Sequence, residues 1–367
     1  MLAARIDLVR AVGVRRVARR RLLDRRYTAA ATERAADVAQ ALWADAAAEL
    51  GAEMRVVGGR FFEFTLDGVS VRVSGQSTPL ADPVSIRLAN DKPLAAEVLA
   101  REGIPTPPRV VIGRQDTGPA EAFLAAADGP CIVKPAVGGG GHAVTGHVST
   151  LAQLRAAIRL ARTGSSQVLV ESMIEGDHFR FLLLDGHLLD VLRRSRPRVT
   201  GDGRSSIEEL ILAEYRKRLD VDSGTPVKPF RFDLDCVYTL AHQGLRLADI
   251  PGEGVAVEVK TASNFGGASE STTYGGPLAD ALVDDVRAAA RAVGARLAGV
   301  DVITRAPTTS LATSGGAVLE VNPVPGLMHH YAVANPDEAV RVAVPILEVL
   351  LSPRRTGGDE AALPRLP

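Results

Sequence analysis

The sequence predicts an α+β protein of two or three lobes, on three observations. The chain, at 367 residues, is long enough to bury more than one hydrophobic core without disulfide staples. Two Asp-Gly pairs, Asp67-Gly68 and Asp185-Gly186, each join two strand-like runs, the pattern of a tight antiparallel hairpin. Around them, segments with helical periodicity alternate with short apolar runs that read as strands.

Residues 1–26 read as an Arg-rich N-terminal helix or arm, with nine arginines against two aspartates. That excess suits an acidic partner. Leu2, Ile6, Val9, Leu22 and Leu23 equally suit a solvated helix that docks on the rest of the protein or on a second subunit, which would make a homodimer. Residues 27–89 read as a small N-terminal α/β lobe: an Ala-rich helix to about residue 50, with Val38, Leu42 and Trp43, then paired strands 60–66 and 69–73. It holds no Gly-x-Gly-x-x-Gly fingerprint. Asn90 can cap the next helix, with Pro93 in its first turn and Gly103 at its end, so a second lobe spans 90–176. Its elements are a strand at 131–137, four glycines at 138–141, a Ser/Thr-capped helix at 149–162 and a strand at 167–174. A third lobe, 177–350, opens with the 179–192 hairpin. Helices at about 206–219 and 279–294 then alternate with strands at 254–260, 297–303 and 317–322, and 351–367 reads as a frayed tail.

Composition excludes several classes of function. Lys plus Arg and Asp plus Glu both number 43, so the chain lacks the bulk charge of a nucleic-acid or membrane-surface binder. Two cysteines, Cys131 and Cys236, without Cys-x-x-Cys or Cys/His spacing, argue against structural zinc and fit a reducing compartment. Neither a secretory h-region nor an apolar run long enough for a membrane span is present, so the expectation is a cytoplasmic protein with no membrane partner. Only five cations are lysines: Lys92, Lys134, Lys217, Lys228 and Lys260. In a chain that otherwise uses arginine, a lysine marks a candidate site for a compact point charge.

The run Ala317-Val318-Leu319-Glu320-Val321-Asn322-Pro323 reads as a strand. Alternation sends Ala317, Leu319 and Val321 to a buried face and Val318, Glu320 and Asn322 to the other, so a carboxylate and an amide enter one space. Asp301 is the single carboxylate of the apolar run 297–303, which the polar segment 304–316 can bring alongside. Such hard oxygens suit magnesium, although each also suits a turn cap or a strand-end backbone bond. The four glycines follow a strand bearing Lys134; backbone N–H groups in such a turn can approach phosphate oxygens, and the lysine adds charge. No Gly-Lys-Ser/Thr follows, so the turn is not a Walker A loop. The strand 168–174, with Glu171, Met173 and Ile174, suits a purine and suits equally a plain core strand with a solvated acidic end.

Taken in order, Asn90-Asp91-Lys92, Ile132-Val133-Lys134-Pro135 with its glycine loop, Val168 to Gly176, Arg193-Arg194 with Gly201-Asp202-Gly203, Gly299-Val300-Asp301, and Glu320-Val321-Asn322 with Pro325-Gly326-Leu327 resemble the ATP-grasp superfamily. Within it, the chain resembles the ATP-grasp half of cyanophycin-synthetase-like ligases and, more distantly, D-alanine-D-alanine ligases, over roughly residues 75 to 350. The resemblance implies an ATP-grasp fold in which the small first lobe precedes two ATP-clasping lobes, a central lid at 90–176 and a C-terminal lobe with the metal site at 177–350. It implies that Lys92 and Lys134 grip ATP phosphates, that Gly138, Gly139, Gly140 and Gly141 close over them, and that Glu171, Met173 and Ile174 hold adenine. His178 stands where relatives use an acidic residue for the ribose, with Glu175 and Asp177 beside it. Asp301, Glu320 and Asn322 would bind two Mg2+ ions, or Mn2+, with Glu320 bridging. Arg194, Arg193 and Lys260 or Asn264 would stabilise the transferring phosphoryl group. Where cyanophycin-type ligases show Arg before Met-His, this chain reads Met328-His329-His330-Tyr331, which implies a different substrate anion or none. His330 or Tyr331 would assist deprotonation of an amine, although a solvated histidine is an equal reading of the residues.

The implied function is that of an ATP-dependent carboxylate-amine ligase that forms an amide through an acyl phosphate and releases ADP and phosphate. Its substrates would be a small amino-acid-like acid and an amine. Two other readings stay open from the residues: a RimK-like ligase that modifies a protein or peptide, recruited by the Arg-rich N-terminus, and a nucleotide-binding regulatory protein without turnover.

Overall fold

The computed structural model describes residues 2–14, 16, 37–114, 116–220, 232–261 and 271–352. The tail expected at 351–367 lies outside them beyond Ser352, as does most of the N-terminal arginine run. Helix α1 (Leu2–Val12) is followed by α2 at residues 37–50. Strands β1 (Glu53–Gly58), β2 (Phe61–Leu66) and β3 (Val69–Ser74) form an antiparallel sheet in that order. The Asp67-Gly68 turn has φ of 49° and 80°, the left-handed pair that matches the twist of a two-residue hairpin. Trp43, Phe62 and Phe64 are buried between α2 and this sheet.

Helices α3 (Pro83–Asn90) and α4 (Lys92–Arg101) abut. The cap of α4 is Asp91, whose carboxylate accepts from the Leu94 N–H; Asn90 is instead the last residue of α3, a helix started upstream by Asp82 and Pro83. The next lobe contains β4 (Arg109–Ile112), α5 (Gly118–Ala126), β5 (Cys131–Pro135), β6 (Thr145–Val148), α6 (Leu151–Ala161) and β7 (Val168–Ser172). Its antiparallel sheet runs β4-β7-β5-β6. Thr150 and Gln153 close a capping box on α6, and Cys131, Val133, Leu154 and Val170 fill the core beneath that helix.

Strands β8 (Asp177–Leu184) and β9 (His187–Arg194) meet at Asp185-Gly186, again with positive φ, 48° and 81°. Then come β10 (Arg198–Thr200), α7 (Ile207–Asp220), α8 (Leu234–His242) and β11 (Ala256–Glu258), with β10 and β11 paired. The remaining elements are β12 (Ser271–Thr273), α9 (Asp280–Val293), β13 (Leu297–Thr304), α10 (Leu311–Ser314), β14 (Ala317–Asn322), 3-10 turns at Leu327–His330 and Pro336–Glu338, and α11 (Ala343–Leu351). The central sheet has the order β12-β9-β8-β13-β14.

The two faces of β8 explain how the parts assemble. Phe179, Phe181 and Leu183 pack with Val286 and Ala290 of α9, whereas Leu182 and Leu184 point the other way, to Ile346 and Leu347 of α11 and to Trp43 and Phe64. The N-terminal sheet therefore shares one core with the central sheet. The described residues of 198–259 have a core of their own around Ile207, Cys236, Leu240 and Val257, joined by Val12 of α1.

One expected alternation fails. Asp301 pairs with Glu320 but Val302 pairs with Val318, so Leu319 is an extra residue, a β-bulge. Val318 and Val321 are both buried, while Leu319 is half-buried. Among the described residues no helix is long and apolar enough to cross a membrane.

Candidate functional site

Arg180, Asp301 and Glu320 stand in one row across β8, β13 and β14, each the register partner of the next. Two-residue periodicity puts Arg180 on the same face as Leu182 and Leu184, so this face of the sheet changes from apolar to ionic along its length. His178 and Arg194, partners across β8 and β9, lie one step further on. Both Asp301 oxygens accept from Arg180, at 2.7 and 2.5 Å, and His178 Nε2 lies 3.4 Å and Arg194 3.8 Å from the same carboxylate. Burial alone would raise the Asp301 carboxyl; the Arg180 guanidinium and His178 hold it well below the usual carboxylate range. Burial also pushes the His178 imidazole down.

The sheet β4-β7-β5-β6 supplies the opposite wall. Lys134 on β5 reaches across to Glu171 on β7, 2.6 Å away. Lys92, the first residue of α4, donates to the Gly138 carbonyl, and burial, followed by the repulsion of Lys134, lowers its ammonium pKa despite Glu320 and Glu171 nearby. Gly138, Gly140 and Gly141 have φ of 115°, 68° and 69°, which only glycine adopts without strain. The cavity between these walls has a volume of about 810 Å³. It is lined by Lys92, Lys134, Gly138 to Gly141, Glu171, Met173, Ile174, His178, Arg193, Arg194, Asp301 and Glu320. A smaller cavity of about 250 Å³ shares Gly139, Gly140, Arg194 and Glu320 with it and adds Asn90, Arg180, Asn322 and His329.

Most of the candidate residues thus meet in one place, some with altered partners. Glu171 is the ion-pair partner of Lys134, and Met173 sulfur accepts from the His147 N–H at 3.3 Å. Arg193 pairs with Asp177 at the exposed rim, at 2.8 Å. Asn322 opens onto the smaller cavity while its Oδ1 accepts from the Val324 N–H at 3.0 Å.

Two expected residues are elsewhere. Lys260 is buried against Asp233, at 2.5 Å, because it leaves β11 directly into the N-terminus of α8. His330 is fully buried, its Nδ1 2.6 Å from Asp190, because the 3-10 turn folds the ring inward onto β9; burial pushes its pKa down. Neither lines the cavities, and Asn264 lies outside the described residues. Sequence reading gave Arg180 no role, since only the pairing of β8 with β13 brings it to Asp301. Leu319, expected on the buried face, lies on the cavity wall, as do Arg196, Arg198, Glu258 and Thr261, to which no role was given.

The oxygens of Asp301, Glu320 and Asn322 fit magnesium in kind. Among the described residues no three His, Cys, Asp or Glu side chains form a ready metal cluster. Asp301 and Glu320 are nevertheless direct cross-strand neighbours on the cavity wall. A carboxylate has about four lone-pair sites, so the Arg180 fork leaves acceptor capacity on Asp301, and magnesium needs few protein oxygens when phosphates supply the rest.

The chain is similar to several known proteins. Residues 98–202 match the family model described as D-ala D-ala ligase C-terminus. Cyanophycin synthetase of Geminocystis herdmanii is 30% identical over 276 residues, 73% of this chain and 31% of that protein. The glutathione biosynthesis bifunctional protein GshAB of Listeria innocua is 28% identical over 323 residues, 85% of this chain and 41% of that one. The chain thus spans between about a third and two fifths of the length of these relatives. The crystal structure of a bifunctional glutathione synthetase from Pasteurella multocida superposes with a TM-score of 0.55 at 24% identity, covering 85% of this chain and 44% of that one. The resemblance read from the sequence is borne out, and the fold is that of the ATP-grasp proteins.

Proposed function

We propose that this ATP-grasp chain is an ATP-dependent ligase that joins a carboxylic acid to an amine through an acyl phosphate. The observation that carries the proposal is the single cavity in which two lysines, a glycine turn and an arginine face a cross-strand pair of carboxylates. In this reading the lid lobe and the central sheet clasp ATP. The 168–176 segment and Leu319 flank the base, Lys92 and Lys134 hold the phosphates, and the glycine turn covers them with backbone N–H groups. Asp301, Glu320 and Asn322 would hold one or two magnesium ions, which supply charge neutralisation at the phosphates. Arg194, on the wall between the two cavities, faces the transferring phosphoryl group, where positioning and electrostatic stabilisation do most of the work. The smaller cavity takes the acid. Its carboxylate oxygen bonds to the γ-phosphorus as the bond to ADP breaks. The amine nitrogen then bonds to the acyl carbon, inorganic phosphate leaves, and the amine loses a proton to solvent or to phosphate, since His330 is out of reach.

The test is ADP formation from ATP, magnesium and a panel of small acids, with hydroxylamine in place of the amine. A hydroxamate should form, and an acid labelled in its carboxylate oxygen should pass label to phosphate. AMP and pyrophosphate as products would overturn the acyl-phosphate route. Nucleotide binding without turnover for any acid would favour a regulatory protein.

A further inference from the structure

Asp235 has no place in the chemistry above, yet its carboxylate is completely buried. Its two oxygens serve two distant stretches of chain: one accepts from the Gly146 N–H on β6 at 2.9 Å, the other from the Thr261 N–H at 3.1 Å. Asp235 itself lies in the first turn of α8. One side chain therefore ties the lid sheet, α8 and a residue of the cavity wall together. Gly146 and Thr261 touch directly, since a Cβ on Gly146 would overlap the Thr261 side chain. Other contacts join the same two units. His147 of β6 stacks on His242 of α8 with ring centroids 4.3 Å apart, and Tyr238 of α8 packs on the lid core. The N-terminal segment bridges them too, through Asp7 of α1 to Arg159 of α6 at 2.5 Å and through Arg16, beyond the end of α1, to Glu208 of α7 at 2.6 Å. The core of 198–259, by contrast, is separate from the cores on either side of the central sheet.

We infer that Asp235 is a positioning residue that fastens the 198–261 unit to the lid lobe, so that both close over the nucleotide as one body and bring Thr261 to the cavity wall together with the glycine turn. This rests on the ligase reading for the identity of the ligand. The residue acts through Gly146 and Thr261 and does not itself touch the nucleotide.

Asp235→Asn turns one acceptor into a donor facing a buried N–H, a mismatch large enough to raise the Kd for a non-hydrolysable ATP analogue with magnesium about tenfold or more. The ATP KM should rise more than kcat falls, and hydrogen exchange at the Gly146 and Thr261 amides should speed up together. Gly146→Ala, which wedges the same contact from the lid side, should weaken the nucleotide in the same way. Leu240→Ala, which only hollows the core of the 198–259 unit, should lower the melting temperature and leave the Kd within about threefold, as expected where no link to the cavity is cut. Unchanged analogue affinity in both Asp235→Asn and Gly146→Ala would overturn the inference, as would an equal loss in Leu240→Ala. A wild-type chain that bound no analogue would instead overturn the ligase reading beneath it.

Discussion

At the scale of single residues, the site depends on which charges have partners. Lys134 is a phosphate grip in the proposed reaction, and Glu171 holds it across the lid sheet. Lys134→Ala should weaken analogue binding about tenfold or more, and Lys134→Arg should not restore it, because a planar fork needs different room from a compact ammonium; titration calorimetry on the three proteins checks this. Arg180 carries a different burden. Arg180→Leu would take the bidentate partner from the buried Asp301 carboxylate and should cost about 3–5 kcal/mol of stability, read in urea. His147 gives a pH prediction. Burial, then His242 and Arg196, push its imidazole down to about 4, so the unfolded chain, with its ordinary value near 6.5, takes the proton first. Its neutral form is fully stabilising above about pH 6.5, and up to about 3 kcal/mol is lost as the pH falls toward 4. Melting curves between about pH 7.5 and 5 should show that slope, and His147→Asn, which tolerates the φ of 51° found there, should flatten it. Asp301 and Glu320 were legible in the sequence because each is an isolated carboxylate in an apolar strand. Arg180 was not, since its role exists only through the register of β8 with β13.

At the scale of elements, turns and helix ends were the most legible features because a few local residues dictate them. Asp67-Gly68 and Asp185-Gly186 make the expected hairpins, and α9 ends at Gly294 with φ of 76°. The face of β14 was not legible: the bulge that moves Leu319 toward the cavity is a property of the pairing with β13, not of the alternation. Helix α8 also escaped notice, because the polar residue Asp235 within it is buried by partners far along the chain. Gly176 shows how tightly element ends are set. It has φ of 140°, and a Cβ there would overlap the backbone of Thr304 where β8 meets the end of β13. Gly176→Ala should therefore lower stability by about 1–3 kcal/mol and weaken nucleotide binding. Gly113→Ala, with nothing within 4 Å of the added atom, should leave the melting temperature almost unchanged.

At the scale of the molecule, the β4–β7 sheet has a hydrophobic core apart from the two that flank the central sheet, and the proposed ligand bridges those two sheets. Saturating analogue with magnesium should raise the melting temperature of the wild type, since binding at about a hundred times Kd adds about 2.7 kcal/mol, and the rise should shrink in Lys134→Ala. The three-lobe plan read from the sequence did not anticipate that 198–259 packs around its own centre, as its apolar residues carry no sign of which neighbour they will join. The chain's two thiols sit on either side of the junction in question. Cys131 lies at the centre of the lid core and Cys236 at the centre of the 198–259 core, and neither has any exposed surface. A small alkylating reagent can reach each sulfur only when its own core opens. The two alkylation rates, resolved by peptide mass, therefore serve as two clocks built into the native sequence. If the two cores unfold as one cooperative unit, the clocks keep the same time and nucleotide slows both; after Asp235→Asn they should run apart.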